Sequence, residues 1–151
     1  MITVSPGAVT SEEAKKLLAM LSVILHQLTG SDGRASFNAE EVKHPRACFA
    51  LARNSQGEAV GCGAIRPLDG QEEVAEMKRV FAAAGNQGVG YALLSFLEEE
   101  ARKRGYREIW LETRKVNQRA LNFYLKNGYQ IRENFGRYVG REEAVCLGRM
   151  L

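Results

Sequence analysis

The sequence predicts an α/β (α+β) domain: a mixed, mostly antiparallel central sheet of about six to seven strands flanked by helices. Three observations carry this expectation. The first half offers one long amphipathic helix and three strand-like runs joined by short turns. The second half reads strand, helix, strand, helix, strand, strand. A strand–helix–strand crossover from about 74 to 113 demands one parallel pair with a right-handed connection inside the otherwise antiparallel sheet.

The elements follow in order. Met1 to Val4 reads as a short strand, closed by Ser5-Pro6-Gly7. Thr10-Ser11-Glu12-Glu13 has the spacing of a capping box, and Ala14, Leu17, Leu18, Leu21, Ile24, Leu25 and Leu28 then recur at helical period. Thr29-Gly30-Ser31-Asp32-Gly33 ends that helix. Residues 31 to 46 are irregular and polar, with Phe37 and His44 as their rings, and are expected to form a flexible loop on the substrate side. Strands over about 47–53 and 58–66 make a hairpin through Asn54-Ser55-Gln56-Gly57. Pro67-Leu68-Asp69-Gly70 is a second turn, leading to a strand over Val74–Ala82.

The helix expected from about Gly88 to Arg104 places Val89, Leu93, Phe96, Leu97 and Ala101 on one face. Glu98, Glu99, Arg102 and Lys103 then face water, and Gly105 is its stop. Tyr106 to Thr113 is a strand, Asn117 to Lys126 a helix with its exit at Asn127-Gly128, and strands near 129–133 and 143–149 complete the chain.

Bulk properties narrow the function classes. The chain has 151 residues, expected to form a single domain over 1–151, with 45% hydrophobic and 26% charged residues. Its net charge of +3 is too mild for a nucleic-acid partner. The cations gather in the second half, which suits an anionic small ligand. Cys48, Cys62 and Cys146 lie far apart in apolar runs, so buried reduced thiols and a cytoplasmic address are expected. With His26 and His44 as the only histidines, no metal site is expected. The N-terminus lacks a charged leader, and no apolar run approaches the roughly 20 residues of a membrane span.

The turn Gln87-Gly88-Val89-Gly90-Tyr91-Ala92 is the densest functional motif. A helix N-terminus carries unpartnered N–H groups and partial positive charge, so a turn without side-chain bulk brings a phosphate onto them. A Walker A loop is excluded, because no Gly-Lys-Ser/Thr follows. A dinucleotide fingerprint fits poorly, because Leu93 stands where a third Gly or Ala belongs. A plain tight turn stays open. Asn117 and Tyr124, two helical turns apart, project from nearly one face. They read equally as a helix cap and a core tyrosine.

Taken together, Glu76-Met77-Lys78-Arg79-Val80-Phe81, Gln87 to Leu94, Gly105-Tyr106, Leu111-Glu112-Thr113 and Asn117-x-x-Ala120-x-x-x-Tyr124-x-x-x-Gly128-Tyr129 resemble the GNAT superfamily of N-acetyltransferases. The match is densest over residues 46 to 151. The resemblance implies a GNAT-like sheet whose parallel fourth and fifth strands splay to hold acetyl-CoA. It also implies transfer of an acetyl group to a primary amine by direct attack in a ternary complex, without a metal.

Residue by residue, the resemblance puts the pyrophosphate on backbone amides of Gln87, Gly88, Val89, Gly90, Tyr91 and Ala92. The pantetheine arm falls along Val80, Phe81 and Ala82. Asn117 is the further cofactor contact, and Tyr124 the proton donor to the departing thiolate. Counting from the helix instead puts the motif's first position on Gly85 and its glycine on Asn86. The customary proline is replaced within Ala82-Ala83-Ala84. Glu76 is the expected general base, with Glu112 second. An ion pair of Glu76 with Lys78 or Arg79 is the competing reading, and a cysteine ping-pong route is disfavoured.

The expected acceptor is a small-molecule amine, with a protein or peptide amine as an alternative. A non-catalytic acyl-CoA-binding or regulatory module is a third reading, and a Rossmann-type nucleotide domain is disfavoured by the antiparallel first half. The resemblance leaves a homodimer through the C-terminal strands open.

Overall fold

The structure is a computed structural model that describes residues 1–31, 37, 39–83 and 88–151. Its elements are β1 (Thr3–Pro6), α1 (Glu12–Thr29), β2 (Cys48–Arg53), β3 (Ala59–Leu68), β4 (Gln71–Ala82), α2 (Val89–Lys103), β5 (Glu108–Arg114), α3 (Gln118–Lys126), β6 (Gln130–Arg132) and β7 (Ala144–Met150). Short 3₁₀ turns cover Ala39–Lys43 and Gly136–Tyr138. The seven strands form one sheet in the order β1-β2-β3-β4-β5-β7-β6. β4 and β5 run parallel and the other neighbours antiparallel. Among the described residues no helix is long and apolar enough to cross a membrane.

Several boundaries differ from the sequence reading: β1 takes in Ser5 and Pro6, the residues expected to close it, and β4 starts at Gln71 rather than Val74. Pro67 and Leu68 belong to β3, and Leu68 pairs with Gln71 across Asp69-Gly70. Asp69-Gly70 make the turn, with Gly70 in the positive-φ conformation that glycine adopts readily. At α1, Ser11 rather than Thr10 is the cap, its Oγ accepting from the Ala14 N–H at 3.1 Å.

The helices cover opposite faces of the sheet. α1 lays Ala14, Leu17 and Leu21 on Phe49, Leu51, Cys62, Ala64 and Phe81. α2 lays Val89, Leu93, Leu97 and Ala101 on Ala50, Ile65, Ala75, Met77 and Ile109. Close approach of α2 to β3 needs Gly61, where a Cβ would sit 2.6 Å from Val89 Cγ1 and 2.8 Å from the Phe81 carbonyl oxygen.

One expectation on α2 is corrected. Glu98 does not face water: it is 6% exposed, accepts from the Tyr129 hydroxyl at 2.9 Å and pairs with Arg149 at 3.1 Å. A buried carboxylate is tolerable only with such partners. They come from the last third of the chain, so helical period alone pointed Glu98 outward.

Side chains along β4 alternate as a strand requires, with Ala75 and Met77 toward α2 and Glu76 and Lys78 toward the other face. A bulge then breaks the alternation, because Cys62 pairs with Phe81 and Ala64 with Lys78, leaving Arg79 and Val80 opposite Gly63. Arg79 takes φ 58, a left-handed conformation that costs about 1–2 kcal/mol outside glycine. Its guanidinium donates to Ser22 Oγ at 2.7 Å and to the Leu18 carbonyl at 3.4 Å, tying the strained residue to α1. After the bulge, Val80 and Ala82 pack on the α2 side and Phe81 on the α1 side.

Candidate active site

β4 and β5 pair in parallel only from Val74↔Glu108 to Glu76↔Trp110. Beyond that point the two strands have no register, and a cleft of about 210 Å³ opens between them. Its walls include Glu76, Lys78 and Val80 of β4, Glu112 of β5, Asn117 and Tyr124 at α3, and Leu21 and Leu25 of α1. The splay therefore connects the two faces of the sheet. The carboxyl ends of strands beside helix N-termini are where open α/β sheets receive ligands.

On the α2 side, Gly88 is the N-cap of α2 with φ 83 and makes no side-chain cap hydrogen bond, and no acid stands in the first turn. The N-terminal partial charge is therefore left for an anion. Gly90 lies close under α3, where a Cβ would come 3.3 Å from Phe123 Cζ. Val89 is buried and Tyr91 exposed. Gln87, together with Gly85 and Asn86, lies outside the described residues, so the start of the expected phosphate loop does too. Much of the expected substrate-side loop, 32–36 and 38, falls outside them as well.

Asn117 and Tyr124 both reach the cleft. Asn117 is also the α3 cap, its Oδ1 accepting from the Ala120 N–H at 3.2 Å, so the two sequence readings of this residue coexist. Tyr124 is 9% exposed, its ring packed edge-on against Phe123 and Tyr129 at centroid distances of 5.2 and 5.6 Å. Burial pushes its hydroxyl pKa upward, so the phenol keeps its proton at neutral pH.

The opposite face holds the carboxylates. Glu76 is 2% exposed. One oxygen accepts from Arg66 at 2.8 Å; the other accepts from the Tyr138 hydroxyl at 3.0 Å and lies 3.5 Å from Lys78 Nζ. Arg66 also pairs with Glu41 at 2.8 Å, linking the 3₁₀ turn at 39–43 to the site. The expected pairing of Glu76 with Lys78 is present, and burial lowers the Lys78 pKa.

Glu112 shares this face, opposite Cys146 of β7. Burial raises its pKa despite Arg114 at 3.4 Å, and its Oε2 accepts no hydrogen bond among the described residues. Sequence reasoning missed Arg66, Tyr138, Arg137 and Arg141, which reach the site from a strand end and the loop between β6 and β7. Nothing local in the sequence marks them.

The cysteines are free and buried. Burial pushes the Cys62 thiol up to about 12 and Cys146 up to about 11, which leaves little thiolate at neutral pH.

A family model for the acetyltransferase (GNAT) family matches residues 17–129. The chain belongs to the GNAT family. This GNAT acetyltransferase is 31% identical over 140 residues to a protein named IAA acetyltransferase from Azospirillum brasilense, covering 91% of this chain and 90% of that one. It superposes with a TM-score of 0.82 and 32% identity on a crystal structure from Klebsiella pneumoniae, provisionally assigned as an acyl-CoA N-acyltransferase, over 100% of this chain and 98% of the other. A GNAT acetyltransferase from Elizabethkingia anophelis with acetyl-CoA bound shares the fold at a TM-score of 0.70 and 22% identity, over 99% and 98% of the two chains. The parallel fourth and fifth strands expected of the family are present here as β4 and β5.

Proposed function

We propose that this protein is an acetyl-CoA-dependent N-acetyltransferase acting on a primary amine of a small molecule, by direct attack in a ternary complex. The observation that carries the reading is the splayed β4–β5 cleft, with a proton-bearing tyrosine on one face and two carboxylates on the other. The chain fits acetyl-CoA on its own features: an α2 N-terminus capped by a glycine and free of first-turn acid, and a β4 edge that is unpaired with β5 beyond Glu76. Backbone groups of Val80, Phe81 and Ala82 would hold the pantetheine arm, amides from Gln87 to Ala92 the diphosphate, and Asn117 a further cofactor contact. When bound, acetyl-CoA supplies an activated acetyl group with a thiolate leaving group.

The chain's own groups do the proton work. Glu76, with Glu112 as the alternative, accepts a proton from the amine on the α1 side. Arg66, Lys78 and the Tyr138 hydroxyl hold the Glu76 oxygens in place, while burial makes the Glu112 carboxylate more basic than an ordinary one. Tyr124 holds a proton on the α2 side, where the departing sulfur must be quenched. The high thiol pKa values of the cysteines argue against a covalent cysteine route. The small size of the cleft supports a small acceptor over a folded protein.

Calorimetry with acetyl-CoA, paired with free-thiol release across an amine panel, tests the reading. Binding plus amine-dependent thiol release is expected. Tight binding without turnover would convert the protein into an acyl-CoA-binding module, and acetylation of protein amines alone would reassign the acceptor.

A further inference from the structure

The acceptor side of the cleft sets cations among its two carboxylates. Lys78, Arg79, Arg114, Arg137 and Arg141 line the cleft against Glu76 and Glu112. Arg79 is engaged at Ser22, Arg114 at Glu112, and Lys78 at Glu76 and the Tyr138 hydroxyl, and Arg137 has an interaction of its own. Arg137 and Arg141 flank Tyr138 at the exposed mouth, on the loop between β6 and β7. Arg141 has no acidic partner among the described residues; its backbone N–H donates to the Tyr138 carbonyl, and its carbonyl accepts from Asn134 Nδ2 and the Ala144 N–H.

Glu112 Oε2, deeper in the cleft, is buried and accepts no hydrogen bond among the described residues, with Arg114 Nε ion-paired to it at 3.4 Å. The cleft thus offers an acceptor for an ammonium group inside and a guanidinium for an anion at its mouth. Leu21 and Leu25 of α1 line the same cleft and give it an apolar wall.

We infer that the acceptor is an amine that also carries a carboxylate, a molecule of amino-acid size. Its amine lies toward Glu112 and Glu76, its apolar part against Leu21 and Leu25, and its carboxylate on Arg141. This rests on the acetyltransferase reading above and specifies its substrate class. An arginine suits the task because its planar fork binds a carboxylate through two parallel hydrogen bonds and stays charged at all working pH values. Arg141 can hold an acceptor group without touching the cofactor side, because α2 and α3 lie across the sheet from this loop.

The test compares thiol release with phenylalanine and leucine against their primary amides and decarboxylated amines. The acids should exceed their amides in kcat/KM by about tenfold or more, the discrimination expected of a hydrogen bond to a charged group. Arg141→Ala should bring that ratio toward one by raising KM for the acids, and Arg141→Lys should restore part of it. KM for acetyl-CoA should stay within about twofold in both variants. Equal use of acids and amides, or a preference for amides or peptide N-termini, overturns the inference and leaves acetyl transfer standing. A ratio unmoved by Arg141→Ala overturns the role of Arg141. No thiol release with any amine and no acetyl-CoA binding heat would remove both readings together.

Discussion

Tyr124 is where sequence and structure meet most directly. Its position seven residues after Asn117 suggested a shared face, and the structure puts both residues on the cleft. Desolvation disfavours the phenolate, so the phenol keeps its proton, as the proposed donor role requires. Tyr124→Phe should therefore lower kcat by about 100-fold while changing KM for acetyl-CoA little. Steady-state kinetics with varied acetyl-CoA checks this, and an unchanged kcat would take Tyr124 out of the reaction. Glu76 shows the limit of reading single residues. Its place on the cofactor strand was legible, but Arg66 and Tyr138, which hold its two oxygens, come from 10 and 62 residues away.

At the scale of elements, most of the fold was legible because periodicity is a local property. α2 and α3 fall within a residue or two of the sequence expectation, and the crossover from β4 to β5 follows from chain order alone. What escaped is what depends on partners distant in sequence. The bulge at Arg79 could not be read, since an arginine at φ 58 has no sequence signature and is held by Ser22 and Leu18 of α1. Glu98 looked solvent-facing for the same reason. The bulge matters to the site, because it brings Lys78 and Arg79 together on the α1 side and turns Val80 toward α2.

The seating of α2 on β3 gives this scale its prediction. A Cβ on Gly61 would meet both the Val89 side chain and the Phe81 backbone, and the backbone cannot yield cheaply. Gly61→Ala should destabilise by about 1–3 kcal/mol. Denaturant unfolding measures it directly, and an unchanged midpoint would mean that α2 is not seated as closely as described.

For the whole molecule, two acidic residues lie on one face near the middle of a seven-stranded sheet, and the folded state bears a cost of ionising Glu112. The Glu112 pKa is raised above the ordinary value of 4.5, first by burial and then by neighbours that include Glu76. Below 4.5 the acid is protonated in both the folded and unfolded chain, and the associated stability is complete. As pH rises through the raised folded value, the folded state must ionise a carboxylate that the unfolded chain ionises more readily, and stability is lost. Glu112→Gln removes that loss. The variant should melt a few degrees above the parent at pH 7, with the gain shrinking toward zero as pH falls to about 4.5. Arg114 limits the gain, since the substitution takes away its partner at 3.4 Å and leaves it Glu143 at 3.8 Å. Calorimetric melts of both proteins from pH 4 to 8 decide the matter. A gain independent of pH would assign the effect to packing, and a loss at pH 7 would show that the ion pair with Arg114 outweighs the desolvation of Glu112.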